Sequence, residues 1–232
     1  MCIGILTSPG KIVSEEVFDR CWKNNPDGFG IAWINANTGG VEIDKGWMTK
    51  SGAKNRYYRV ADESKNADRY MLLHFRAATV GRVEGSNCHP FKVKGGAMIH
   101  NGTFWRDSRA QKSDSQMLAE MMFNELHYGN LSANKEQFQE AFGYNRVAFL
   151  FNDNKHIIFS EAYDAKAGQY GQWRDGIWYS NGGWHGVYGN FYGDGVTLKD
   201  PAAEDPLADD DAYEEWLVHG GWVGRGSNYR IG

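Results

Sequence analysis

The sequence predicts an α+β fold, on three observations. Short β-like runs gather toward both ends of the 232-residue chain with helical patterns between them, which argues against an alternating parallel arrangement. Turn residues separate those runs, as in Asn37-Thr38-Gly39-Gly40 and Asn152-Asp153-Asn154. The 29 glycines, with 9 Trp, 12 Tyr and 12 Phe, suit many turns between strands with aromatic faces.

In chain order, β-like runs fall at residues 2–6, 29–34, 41–48, 70–76, 97–100, 147–152, 156–159 and 176–180. The spacing predicts a first helix from Ser14, with Val17, Phe18, Cys21 and Trp22 on one face, which puts Cys21 in the core. A second helix is expected near Ser113, where Ser113-Asp114-Ser115-Gln116 fits a capping box and Met117, Leu118 and Met121 supply an apolar stripe. A third, near Ser132, carries Phe138, Ala141 and Phe142. After about residue 182 the character changes, first to Gly182-Gly183-Trp184-His185-Gly186 and then to an acidic stretch. We therefore divide the chain into a domain at 2–182 and a Gly/aromatic-rich, acidic appendage at 183–232.

Composition narrows the function. Residues 199–215 hold eight acidic groups against Lys199, so the net charge of −4 leaves +3 for everything else. A body so nearly neutral, without a Lys/Arg cluster, gives no basis for direct nucleic-acid binding. No run approaches the ~20 apolar residues of a membrane span, and no secretory signal is present, so a cytoplasmic location without membrane contact is expected. Cys2, Cys21 and Cys88 form neither a disulfide framework nor a metal knuckle, and no cofactor or metal is expected.

Cys2 follows the initiator Met1. Once that methionine is removed, one residue carries both a thiol and a free α-amine, whose unperturbed pKa of about 7.7–8.0 suits a base. The alternative is a small core residue opening a buried strand. Asn25-Pro26-Asp27-Gly28-Phe29-Gly30 is either an ordinary turn or one whose glycines admit another chain segment or a ligand. In His74-Phe75-Arg76-Ala77-Ala78-Thr79-Val80-Gly81 a buried strand delivers an arginine that wants a carboxylate, from a substrate or from an ion pair. Asn87-Cys88-His89-Pro90-Phe91 offers His89 as acid, base, prop or plain core residue. Met98-Ile99-His100-Asn101-Gly102-Thr103 ends in a turn pair whose Asn101 amide and Gly102 N–H can meet an oxyanion. Asp114 either caps its helix or holds an ammonium group.

Taken together and in order, Cys2, Arg76 with Thr79 and Gly81, His89-Pro90, His100-Asn101-Gly102 and Asp114 resemble the class II glutamine amidotransferases, which use an N-terminal cysteine nucleophile. The resemblance implies a four-layer αββα sandwich of two antiparallel sheets and the hydrolysis of L-glutamine through a cysteine thioester. It makes Cys2, Asn101 and Gly102 catalytic, assigns Arg76, Thr79 and Asp114 to substrate binding, and sets His89, His100 and Gly28 behind them. Two positions depart from the family: Ala77 replaces a bulky aromatic, and Phe91 replaces a second histidine. Fewer residues follow the domain than a second enzymatic domain needs, so the ammonia-accepting synthase is expected on a separate chain. Asp209-Asp210-Asp211 before Ala212, Tyr213, Trp216 and Leu217 is either a docking helix for that partner or a solubilising tail. The competing readings are an amide hydrolase of the same fold with another substrate, and a non-catalytic binding relative. The pairing of Arg76 with Asp114 favours a zwitterionic head group over the first, and the presence of Cys2, Asn101 and Asp114 together argues against the second.

Overall fold

A computed structural model describes residues 2–66, 68–105, 111–160 and 171–185. Met1 and the acidic segment with its 209–217 motif lie outside them. The expected strands form as β1 (Ile3–Thr7), β2 (Phe29–Ile34), β3 (Val41–Trp47), β4 (Met71–Phe75), β6 (Gly96–Asn101), β7 (Arg146–Phe151), β8 (Lys155–Phe159) and β10 (Ile177–Tyr179). Two further strands, β5 (Phe91–Val93) and β9 (Gln172–Arg174), are three residues each and occupy sheet edges. The helices are α1 (Glu15–Asn24), α2 (Lys50–Asn66), α3 (Asp114–Met121), α4 (Tyr128–Ala133) and α5 (Lys135–Phe142).

The fold is α+β with two antiparallel sheets. One has the order β3-β2-β4-β1-β10-β9 and the other β5-β6-β7-β8. Alternation along the strands divides the apolar interior into three clusters. Ile3, Ile5, Leu73 and Phe75 join Phe18 and Cys21 of α1 and Tyr57 of α2. Met98, Val147 and Phe149 join Leu118 of α3, Leu131 of α4 and Phe142 of α5. The third cluster takes the opposite strand faces, with Leu6, Leu72 and Trp178 from the larger sheet and Ala97, Ile99 and Leu150 from the smaller.

Local chemistry explains the helix limits. Ser14 caps α1 by accepting from the Val17 N–H at 3.3 Å, Glu15 and Glu16 favour its positive end, and Pro26 follows its close. Helix α2 was not anticipated. Its apolar stripe is Ala53, Tyr57, Val60 and Ala61, spaced i, i+4, i+7, i+8 but small and diluted among charged and polar residues. Tyr57 fastens it to the segment before α1, accepting from the Val13 N–H at 2.7 Å, while the Tyr58 hydroxyl donates to the Val13 carbonyl at 3.0 Å. Ser113 caps α3 as expected, but its own N–H donates to Asn87 Oδ1 rather than to Gln116. The buried face of α3 carries Ser115, Leu118 and Ala119, and Met121 points outward. The expected third helix is broken at Asn134 into α4 and α5. The packed body continues past residue 182: Trp184 stacks on Tyr179 at 4.5 Å and the Gly183 carbonyl accepts from Asn24 Nδ2.

Candidate active site

The site occupies the polar end of the space shared by the two sheets. On β1, Leu6 faces that space, so Gly4 and Cys2 follow it on the same side. On β4 the series is Leu72, His74, Arg76; on β6 it is Ala97, Ile99, Asn101; on β10 it is Trp178 followed by Ser180. Each strand thus runs from an apolar to a polar residue toward the same end. Continuing the β1–β4 register beyond the pair Ile3–Phe75 sets Cys2 directly beside Arg76.

Cys2 Sγ lies against the Ala77 backbone, donating to the carbonyl at 3.2 Å and accepting from the N–H at 3.3 Å. Its own carbonyl accepts from Asn181 Nδ2 at 2.7 Å, and Asn181 Oδ1 in turn accepts from the Gly183 N–H. Burial raises the thiol pKa above its usual value, against the lowering effects of the Ala77 N–H and Arg76. A thiol held protonated in this way needs a base before it can attack. Arg76 is the next β4-side neighbour of Cys2 in the register, and the Asp114 carboxylate at the start of α3 is near enough for its charge to oppose that of Arg76 at the thiol.

Arg76 is 3% exposed and has no carboxylate partner among the described residues. Its guanidinium donates to the carbonyls of Arg82 at 2.7 Å and Val80 at 3.0 Å. Those bonds orient the fork and leave its remaining N–H groups for an anion. Asp114 is buried without a cation among the described residues. Its Oδ2 accepts from the Phe104 N–H at 2.7 Å and its Oδ1 from the Ser115 N–H at 2.7 Å. A buried cation and a buried anion, each answered by backbone dipoles instead of by a protein charge, form a site of zwitterionic character.

Asn101 is buried, and its Nδ2 lies 2.9 Å from Ser180 Oγ while its Oδ1 has no partner. The Ser180 hydroxyl oxygen also accepts from the Gly4 N–H at 2.8 Å, so it joins β1 of one sheet to β6 of the other. The two orientations of an amide have the same shape. With Oδ1 turned onto Ser180, the hydroxyl donates to it, the Gly4 bond is kept and the Asn101 NH2 group is released toward an incoming oxygen. Gly102 follows at φ +151°, and a Cβ there would lie 2.0 Å from Asn145 Oδ1. Its N–H meets no acceptor among the described residues.

Behind these groups runs a column of rings. His74 stacks on His89 at 3.9 Å, His100 lies beyond, and Phe104 stacks on His100 at 4.0 Å. His74 Nε2 donates to the His100 carbonyl, and His89 Nδ1 accepts from the His100 N–H. Asn145 is fixed by its Nδ2 bond to the Phe142 carbonyl, so its Oδ1 accepts from His100 Nε2 at 2.9 Å. His100 Nδ1 then accepts from the Ser115 hydroxyl at 2.7 Å, next to Asp114. Burial lowers all three histidines, His74 to about 3 and His89 well below its ordinary value, so the column is neutral near pH 7.

Of the residues expected to act, Cys2, Arg76, Asn101, Gly102 and Asp114 come together at this end of the fold, with His89 and His100 behind them. Gly28 supports the site from below: a Cβ there would lie 2.3 Å from Cys88 Sγ, and the Gly28 carbonyl accepts from the Arg76 N–H at 2.8 Å. Thr79 is exposed on the loop after Arg76 and makes no hydrogen bond with the described residues. Sequence reasoning missed Ser180 and Asn181, which directly follow the apolar strand β10, and Ser115, in the first turn of α3. A period-two reading of 178–180 would have found the first. No metal-ligating cluster occurs among the described residues. Comparison with known protein families and with curated proteins finds no match to this chain.

Proposed function

We infer that this chain is a glutamine amidotransferase of the N-terminal-cysteine type, hydrolysing the side-chain amide of L-glutamine. The observation that carries the reading is the pair of buried charges, Arg76 and Asp114, neither with an ion-pair partner among the described residues and both within electrostatic reach of the Cys2 thiol. An amino acid's α-carboxylate and α-ammonium answer both at once, whereas an apolar acyl group answers neither. The three apolar clusters, one against α1 and α2, one against α3–α5 and one shared by the sheets, support a four-layer αββα sandwich as the fold in which this chemistry is set.

The proposed sequence of steps starts with removal of Met1. Arg76 receives the substrate carboxylate in its oriented fork, and Asp114 receives the ammonium. Cys2 Sγ attacks the side-chain carbonyl carbon, and its proton passes to the α-amine of the same residue, the base that the raised thiol pKa demands. The carbonyl oxygen becomes an oxyanion opposite the Asn101 amide and the Gly102 N–H. Collapse breaks the carbon–nitrogen bond, the departing nitrogen takes the proton as ammonia, and water hydrolyses the thioester to glutamate. Each oxyanion donor contributes about 10²-fold or more in turnover, by analogy with other acyl transfer. The ammonia is consumed by an acceptor enzyme that we place on another chain.

Steady-state release of glutamate from glutamine tests the reading. We expect Cys2→Ala to abolish it, and Arg76→Lys, which loses the two-pronged geometry, to raise KM about tenfold or more with a smaller effect on kcat. Equal turnover of a simple amide lacking the α-carboxylate would overturn it.

A further inference from the structure

We propose that Asn87 is a positioning residue that fixes the spacing between the two halves of the substrate clamp. This rests on the reading of Arg76 and Asp114 as the carboxylate and ammonium sites. Asn87 is fully buried, in the helical turn Gly85–Asn87, and its side chain hydrogen-bonds to neither charged group. Its side chain nevertheless reaches the backbone that holds each of them. Nδ2 donates to the Arg82 carbonyl at 3.1 Å, the same oxygen that accepts from Arg76 at 2.7 Å. Nδ2 also donates to the Gln111 carbonyl at 2.7 Å, and Oδ1 accepts from the Ser113 N–H at 2.7 Å, immediately before Asp114.

Both N–H bonds and the acceptor bond of one rigid amide are therefore spent on tying the loop that orients Arg76 to the first turn of α3. The two segments also touch directly. The Arg82 N–H donates to the Gln111 carbonyl, and a Cβ on Gly81 would lie 2.7 Å from the Ser113 nitrogen. The loop cannot shift away from α3 without breaking the Asn87 bonds, and it cannot move closer without steric overlap. The separation between the guanidinium and the carboxylate is thus set by a residue outside the site. A side chain that matters only for head-group spacing affects ligands that carry the head group and spares reagents that do not.

The test uses the full chain and two reagents on Cys2: an electrophilic glutamine analogue, which needs the clamp, and iodoacetamide, which does not. For Asn87→Ala we expect about a tenfold rise in KM for glutamine with kcat changed less than about threefold, and a matching loss in the rate of analogue labelling, since tenfold corresponds to about 1.4 kcal/mol. Iodoacetamide labelling of Cys2 should be unchanged. Asn87→Ser, which keeps a hydroxyl at the buried position but cannot span all three partners, should give the same split and serves if Asn87→Ala does not fold. Unchanged KM, or parallel loss with both reagents, would overturn the proposal by leaving Asn87 with a purely structural role. A wild-type protein that labels with iodoacetamide but not with the analogue would overturn the reading of the clamp itself.

Discussion

At the scale of single residues, the account turns on how a few buried polar atoms are satisfied. Ser180 is the clearest case, because one hydroxyl serves Gly4 on β1, two residues from Cys2, and Asn101 in the opposite sheet. Ser180→Ala leaves the Asn101 amide free to rotate and the Gly4 N–H unpartnered. We expect a fall in kcat of about tenfold, corresponding to about 1.4 kcal/mol of transition-state stabilisation, with KM for glutamine nearly unchanged. Steady-state kinetics checks this, and a selective rise in KM would instead place Ser180 with the substrate clamp. Cys2, Asn101, Gly102, Arg76 and Asp114 stand out in the sequence as candidates because each lies in a short, distinctive motif. Ser180, Asn181 and Asn87 do not, because their significance comes from partners far along the chain, 176 residues away for the Ser180–Gly4 bond.

At the scale of elements, the strands were legible because their apolar runs are dense, and α1 because its cap and stripe are strong. Helix α2 was not, since Ala53 and Ala61 contribute little hydrophobic signal while still allowing close packing on the larger sheet. The short edge strands β5 and β9 carry too few residues for a period to register. Close approach of the two sheets depends on Gly4, which lies opposite His74 in the β1–β4 ladder. A Cβ at Gly4 would lie 2.9 Å from Ile99 Cδ1 across the gap. Gly4→Ala should therefore destabilise the fold by about 1–3 kcal/mol through overpacking. Ile99→Val removes the obstructing methyl, so in the double variant part of that loss should return. Urea unfolding of the two single variants and the double variant measures the coupling, and strictly additive losses would contradict the contact.

At the scale of the whole molecule, the neutral histidine column links stability to pH. Folding holds His74 at about 3 and His89 well below its ordinary value because burial disfavours their charged forms. Below about pH 6.5 the unfolded chain takes up protons that the folded chain refuses, so stability is full above that pH and falls as pH drops toward about 3. Each such histidine contributes a slope of up to about 1.4 kcal/mol per pH unit within that window. Unfolding free energies at pH 7 and pH 5 should differ accordingly, in a range where most carboxylates remain ionised, and a flat profile would contradict a buried neutral column. The α+β class was legible from the order of apolar runs, whereas the pairing of strands into two sheets depends on contacts between distant segments that no local pattern encodes. The central claim, that Cys2 is an N-terminal nucleophile specific for glutamine, is tested most directly by the intact mass of the purified protein before and after exposure to an electrophilic glutamine analogue. The account predicts loss of Met1 and then a single adduct, blocked by excess glutamine and absent from Cys2→Ala. A processed protein that never takes up the analogue, or an adduct that persists in Cys2→Ala, would contradict it.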